Sequence, residues 1–215
     1  MKVLITGTSS GIGKAAALKF LKMGHGVIGI DRLPCAISHD NYTHIVCDIT
    51  KDLPDIENVE ILINNAGVQT GTDRDIEVNL KGTVAVTEKY AFQKKIKSVV
   101  CIASASGNTG AEFPEYAASK GGVIAYAKNV ALRLAKYGAV CNSISPGGVL
   151  TASNDHILKD EKLKKAAIGE SLLEKWATEE EIADWIYFVA VINRSMTAQD
   201  ILIDNGEAAK SNFVW

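Results

Sequence analysis

Tyr116 and Lys120 stand four positions apart in Tyr116-Ala117-Ala118-Ser119-Lys120, which puts a phenol and an ammonium on one face of a helix. An unperturbed tyrosine, with a pKa of ~10, is a poor base at neutral pH. A neighbouring cation favours its phenolate and moves it toward useful acid–base chemistry. In isolation the pair is also what an ordinary exposed helix carries. Two polar residues upstream change its context: Ser104 closes an apolar stretch, and Asn79 sits within Val78-Asn79-Leu80.

A second chemistry-bearing cluster opens the chain. Val3-Leu4-Ile5-Thr6-Gly7-Thr8-Ser9-Ser10-Gly11-Ile12-Gly13-Lys14 reads as a strand, a glycine-rich turn and a helix start. Glycine permits a tight turn and close approach of the backbone to a pyrophosphate, whose charge is favoured at a helix N-terminus. A glycine-rich turn is weak evidence alone; its place directly after the first strand favours dinucleotide binding. Asp31 ends the second strand, where a carboxylate accepts hydrogen bonds from both ribose hydroxyls and repels a 2′-phosphate. Asp31 equally suits a turn before Pro34, and the adjacent Arg32 offers a guanidinium that holds such a phosphate.

From Thr6 to Gly13 the spacing T-G-x-x-x-G-x-G resembles the short-chain dehydrogenase/reductase family, and the resemblance recurs along nearly the whole chain. Cys47-Asp48-Ile49 is similar to the family's third-strand stretch, whose aspartate contacts adenine. Asn64-Asn65-Ala66-Gly67 resembles the N-N-A-G motif that stabilises the central sheet and borders the adenosine ribose. Pro146-Gly147, followed by Val149 and Thr151, resembles the stretch that contacts the nicotinamide carboxamide. With Gly7, Ser9, Ser10, Gly11, Ile12 and Gly13 of the turn, Asp31 and Arg32, these residues make up the implied cofactor site, which Tyr116 and Lys120 complete.

The same resemblance assigns the chemistry. It makes Tyr116 the general acid/base at the substrate oxygen, while Lys120 lowers the Tyr pKa and bonds the nicotinamide ribose. Ser104 orients the substrate oxygen, and Asn79 anchors a water that relays protons through Lys120. Ser106 competes for the serine role, but Ser104 matches the family within Ile102-Ala103-Ser104-Ala105-Ser106-Gly107. The implied activity is NAD(P)(H)-dependent interconversion of a secondary alcohol and a ketone. NAD is the expected cofactor and NADP the alternative, because the family's common NADP pattern has a basic residue where this chain has Ser10. Arg32 keeps a second reading open, an NADPH-dependent 3-oxoacyl thioester reductase. A third, of another class, is a non-catalytic nucleotide-sensing or scaffold protein on the same fold, whose signature is loss of the Tyr or the Lys.

These residues need a sheet to present them. Short β-branched runs alternate with helical patterns, which predicts an α/β Rossmann fold. The expected architecture is a single domain over residues 1–215, with a doubly wound parallel sheet of about seven strands and helices on both faces. The strands are expected at Lys2 to Thr6, Gly26 to Asp31, His44 to Cys47, Glu60 to Asn64, Ser98 to Ala103, Val140 to Ile144 and Asp200 to Ile203. All are continuous apolar runs, the pattern of strands covered on both faces. Helices are expected over Ile12 to Met23, Asp75 to Lys95, Tyr116 to Tyr137 and Glu179 to about Val191.

Two connections are lean for the family. The intervals from Asp48 to Asn64 and from Asn65 to Asn79 leave room for a helix of one or two turns at most. They flank the adenine side and part of the family's usual subunit contact. Ala152 to Lys175, where the family carries a substrate lid, is charged and helix-prone, and nothing in it specifies a substrate.

Bulk properties exclude whole classes. A net charge of −2 gives no reason to expect nucleic acid or an anionic membrane as partner. No apolar run approaches the ~20 residues of a bilayer crossing, and no secretory leader is evident. Cys35, Cys47, Cys101 and Cys141 lie far apart and read as hydrophobes of a reduced, cytoplasmic compartment. His25, His39, His44 and His156 lack metal-site spacing, so no metal is expected. Trp176, Trp185 and Trp215 read as core or interface anchors. The helix from Tyr116 to Tyr137 is apolar on more than one side, and the chain ends in Phe213-Val214-Trp215. Both features predict a homodimer or homotetramer acting on a small-molecule alcohol or ketone.

Overall fold

In the computed structural model, which describes residues 1–111 and 113–210, the predicted strands pair into one sheet. They are β1 (Lys2–Thr6), β2 (Gly26–Asp31), β3 (Tyr42–Val46), β4 (Ile61–Asn64), β5 (Ser98–Ile102), β6 (Val140–Pro146) and, after two short strands, β9 (Asp200–Ile203). The order is β3-β2-β1-β4-β5-β6-β9 and every pairing is parallel. The short strands β7 (Val149–Leu150) and β8 (Ala177–Thr178) pair with each other.

The helices are α1 (Gly11–Lys22), α2 (Asp73–Asp75), α3 (Thr83–Tyr90), α4 (Ser106–Thr109), α5 (Pro114–Leu134), α6 (Asp155–Leu158), α7 (Glu161–Ile168) and α8 (Glu179–Tyr187). Side chains alternate across the sheet, and each face has its own core. Val3, Ile5, Ile61 and Ile63 pack with Phe20 of α1 and with Ile182 and Ile186 of α8. Leu4, Leu62, Val99 and Cys101 face Val86 of α3 and Val123, Val130 and Leu134 of α5. This is the doubly wound Rossmann arrangement.

The two edge strands depart from the sequence expectation of full burial. Val46 on β3 is 65% exposed and Leu202 on β9 is 38% exposed, because each strand has a neighbour on one side only. The expected helix from Asp75 to Lys95 begins at Asp73, passes through a π-helical stretch at Ile76–Gly82 and ends at Tyr90. The lean interval after Asp48 contains no helix at all among residues 49–60. Three of its backbone carbonyls are bonded instead from α3 and the turn after it. Lys89 donates to Leu53 O, Tyr90 to Pro54 O and Gln93 to Val59 O.

The apolar surplus on α5 has a partner within the chain. Val123, Ile124, Ala127, Val130, Ala131 and Leu134 are all buried. The π-helical stretch and α3 cover the side the sheet does not, with Leu80 against Gly122 and Glu88 bonded to Tyr126 and Arg133. That argument for a second subunit on α5 is thereby removed. Phe213-Val214-Trp215 lie outside the described residues.

Candidate active site

The glycine turn is a cradle closed from below by the N-N-A-G stretch. Gly7 has φ +77°, a conformation that L side chains rarely adopt. A Cβ on Gly13 would lie 2.0 Å from Gly7 O and 2.3 Å from Asn65 Nδ2, so α1 can start this close to β1 only with glycine there. Asn65 donates to Thr6 O at 3.0 Å and Gly7 O at 3.2 Å, and Thr6 Oγ1 accepts the Asn65 and Ala66 amides. Ser10 precedes α1 without capping it by its side chain. Ile12 and Gly13 then form the first turn, whose amide groups favour an anion.

Asp31 closes the adenosine side. Its Oδ2 accepts Ser9 N–H and its Oδ1 accepts Leu33 N–H, each at 2.9 Å. The second bond is local and the first ties the end of β2 to the glycine turn; each oxygen retains a lone pair for a further donor. Arg32 is exposed beside it. Asp48 accepts Thr50 N–H at 2.9 Å and Thr50 Oγ1–H at 2.8 Å, bonds that hold its carboxyl below the usual range. Cys47 donates weakly to Asp48 O and Asp52 O, and burial pushes its thiol up. Ile49 is buried against Gly82.

At the other end, α5 begins with Pro114 in its first turn, a residue preset for a helix start, and this puts Tyr116 at the mouth. Lys120, one turn on, is 5% exposed. Its Nζ lies 5.8 Å from the Tyr116 ring centroid and donates to Ile102 O at 2.9 Å. Burial lowers its pKa to about 8, against the opposing fields of Cys101 and Asp75. Asn79 lies in the π-helical stretch, a distortion that recurs at functional sites. Its side chain clasps Val68, accepting N–H at 2.7 Å and donating to the carbonyl at 2.8 Å, and it also donates to Ser119. A Cβ on Gly67 would sit 3.1 Å from Asn79 Oδ1 and 3.4 Å from Lys120 Nζ. Gly67, Asn79, Tyr116 and Lys120 are thus brought together.

Ser104 follows β5, and the amides on either side of it are tied to β6, Ala103 to Ile144 O and Ala105 to Pro146 O. Its rival Ser106 is its partner: Ser104 Oγ lies 3.2 Å from both Ser106 Oγ and Ser106 N. Pro146 ends β6 and Gly147 donates to Ile203 O. Val149 pairs with Ala177, and the Thr151 amide returns to Val149 O.

Three residues outside the sequence motifs also reach this rim. Trp176 packs against Gly148, where a Cβ would be 2.3 Å from its indole nitrogen. Glu207 Oε2 is 2.7 Å from the Cβ position of Gly147, and Glu179 Oε1 is 4.0 Å from that of Gly11. Burial and Glu180 raise the Glu179 pKa, against Lys14. Each lies far along the chain from the glycine it meets, so no local spacing marks it.

Comparison with known proteins matches this geometry to one family. A profile of short chain dehydrogenases matches residues 1–162. The 3-oxoacyl-(acyl-carrier-protein) reductase FabG of Thermotoga maritima is 32% identical, over 94% of this chain and 96% of that protein. A 4-hydroxyisoleucine dehydrogenase complexed with NADH superposes with a TM-score of 0.87 at 26% identity, covering 98% of this chain and 99% of that one. A putative 2-deoxy-d-gluconate 3-dehydrogenase from Agrobacterium tumefaciens with bound NADP does so at 0.87 and 25% identity, covering 97% and 96%.

Proposed function

The chain belongs to the short-chain dehydrogenase family and is an NAD(P)-dependent oxidoreductase; within that class we propose that it prefers NAD(H) and that Tyr116 is its general acid/base. The glycine cradle, the uncapped start of α1 and the carboxylate at Asp31 fit a dinucleotide. Gly7, Ser9, Ser10, Gly11, Ile12 and Gly13 would hold its pyrophosphate, and Asp31 its adenosine ribose. Asp48 and Asn65 with its neighbours border the adenine side; Pro146, Gly147, Val149 and Thr151 border the nicotinamide. When bound, the nicotinamide accepts or supplies the hydride.

The chain's own residues handle the proton and the geometry. The Tyr116 hydroxyl gives a proton to the carbonyl oxygen in reduction and takes it from the alcohol in oxidation. The Lys120 ammonium stabilises the phenolate that forms and bonds the nicotinamide ribose. Ser104 donates to the substrate oxygen and fixes its angle of approach. Asn79 maintains the loop at Val68 against α5 and, through that scaffold, the surroundings of Lys120. The substrate is a small-molecule secondary alcohol or ketone, and the enzyme works in the cytoplasm.

One observation carries the cofactor preference: the Asp31 carboxylate is held against Ser9 at the glycine turn. NAD(H) is expected to bind more tightly than NADP(H) by about tenfold or more, since a 2′-phosphate meets that fixed negative charge. Side-by-side fluorescence titrations at one ionic strength test it, with Asp31→Ala expected to narrow the gap. Equal or tighter NADPH binding by the unaltered protein sinks the preference. It would favour the second reading, an NADPH-dependent 3-oxoacyl thioester reductase, which the exposed Arg32 and the Thermotoga relative support.

We also infer a homodimer or homotetramer. With α5 satisfied internally, the support is the apolar surface around α8, where Trp185 and Phe188 meet edge to face, 43% and 42% exposed. Light scattering at micromolar concentration is expected to give a multiple of the chain mass. A value near 23.0 kDa shows a monomer and overturns this.

A further inference from the structure

Three hydrogen bonds run in series from the glycine turn to the rim beyond Asp31. Thr8 Oγ1 lies 2.8 Å from Tyr42 Oη, Tyr42 Oη lies 3.0 Å from His44 Nδ1, and His44 Nε2 lies 2.9 Å from Leu33 O. The last member sets their polarity. A carbonyl oxygen only accepts, so Nε2 carries a proton, and the Nδ1 of a neutral imidazole is then an acceptor. Tyr42 therefore donates to His44, and Thr8 donates to Tyr42. Burial pushes the Tyr42 phenol up, with Cys35 and Asp31 adding to the rise against the Thr8 bond, so it keeps the proton it must give.

The backbone is shaped to let these side chains meet. Gly29 of β2 lies beneath them, and a Cβ there would fall 2.2 Å from Tyr42 Oη and 2.4 Å from Thr8 Oγ1. Thr8 is fully buried, while Leu33 is 49% exposed on a turn with few anchors. Its amide is held by Asp31, and its carbonyl by His44 at 2.9 Å and at the longer distance of 3.4 Å by the Ser9 hydroxyl. Ser9 adds a bond to Pro34 O at 2.9 Å. Asp31 and the Tyr42–His44 series are thus parallel ties between the same two segments, the glycine turn and the turn at Leu33.

We propose that Tyr42 and His44 are positioning residues for nucleotide discrimination, holding the Leu33 turn so that the Asp31 carboxylate stays in register with the glycine turn. This rests on the reading of Asp31 given above. Hydrogen bonds from carboxylate to ribose hydroxyls are directional and are lost when the turn shifts. Repulsion of a 2′-phosphate is not directional and survives a small shift. Loosening the turn therefore weakens NAD(H) binding selectively and narrows its advantage over NADP(H).

The test is a set of fluorescence titrations with NADH and NADPH on the full chain, unaltered and as Tyr42→Phe, His44→Ala and His44→Gln. Tyr42→Phe and His44→Ala are expected to raise the Kd for NADH about tenfold, the equivalent of one charge-assisted hydrogen bond, and that for NADPH by less than about twofold. His44→Gln, which retains an N–H donor for Leu33 O, is expected to recover most of the loss. A merely structural role would weaken both nucleotides alike and give no such recovery, and that result overturns the proposal. Should His44→Ala fold poorly, Tyr42→Phe, which removes one hydroxyl, decides alone. If the unaltered protein binds NADPH as tightly as NADH, the Asp31 reading fails. If it prefers NADH and the variants keep that preference, only the role of Tyr42 and His44 fails.

Discussion

Tyr116→Phe is expected to lower turnover by about 10²–10⁴-fold while changing NAD(H) affinity by less than about twofold. The substitution removes one oxygen and preserves the ring in the first turn of α5. What is lost is the group proposed to exchange a proton with the substrate oxygen. What remains is the cradle of Gly7 to Gly13, the Asp31 contact and Lys120, each with bonds of its own: Asn65 ties the cradle, Ser9 donates to Asp31, and Lys120 donates to Ile102 O. Steady-state kinetics on an accepted ketone or alcohol, with a cofactor titration on the same preparation, separate the two quantities. Near-normal turnover would refute the acid–base assignment. A parallel collapse in cofactor affinity would show that the hydroxyl maintains the site rather than reacts in it.

What could be read from the chain follows from the range of the physics involved. Gly13 was legible because a crossover helix starting directly after a strand needs a residue without a Cβ at that close approach. That Tyr116 and Lys120 share one helix face was legible from helical periodicity, while their reading as a reactive pair came from the family resemblance. The parallel sheet was legible from uninterrupted apolar runs, and all seven strands were found. Their burial was overstated at β3 and β9, because a run of apolar residues does not say which strands lack a second neighbour.

The remainder is long-range. Counting residues limited the interval from Asp48 to Asn64 to a short helix. It could not show that Lys89, Tyr90 and Gln93 would satisfy an extended backbone there and remove the need for any helix. The partners of Asn79 in the π-helical stretch, Val68 and Ser119, likewise lie at positions outside that helix. The surplus apolar surface on α5 predicts a second partner, which the sequence reading places in another subunit. The second proved to be the helical stretch before it in the same chain, since a helix pattern shows how much surface must be covered and not what covers it. The series from Thr8 through Tyr42 to His44 joins residues more than thirty positions apart across two strands, and only the sheet order brings them together.

Lys120→Met is expected to do opposite things to function and stability. Turnover should fall by about 10² or more and NAD(H) affinity should weaken, because the ammonium is assigned both to the phenolate and to the nicotinamide ribose. The cofactor-free fold should become more stable. Lys120 is enclosed, and burial brings its pKa to about 8, below the ~10.4 of an unfolded lysine. Below pH 8 both states carry the proton and the full penalty of burying the charge stands, about 3 kcal/mol. Between those two values the folded chain loses its proton first, so the stability of the unaltered protein rises with pH through that window. Methionine has similar length and no charge to bury, but it leaves Ile102 O without its donor, which returns about 1 kcal/mol. The net gain near pH 7 is about 2 kcal/mol, a rise of about 4–8 °C in thermal midpoint for a chain of this size, and it should shrink as pH passes from 8 toward 10. Thermal melts across that range, with turnover measured on the same variant, test both halves. A midpoint at pH 7 that is unchanged or lowered would mean that the buried ammonium is not destabilising, and the fold would then have no stability to gain by giving up this residue.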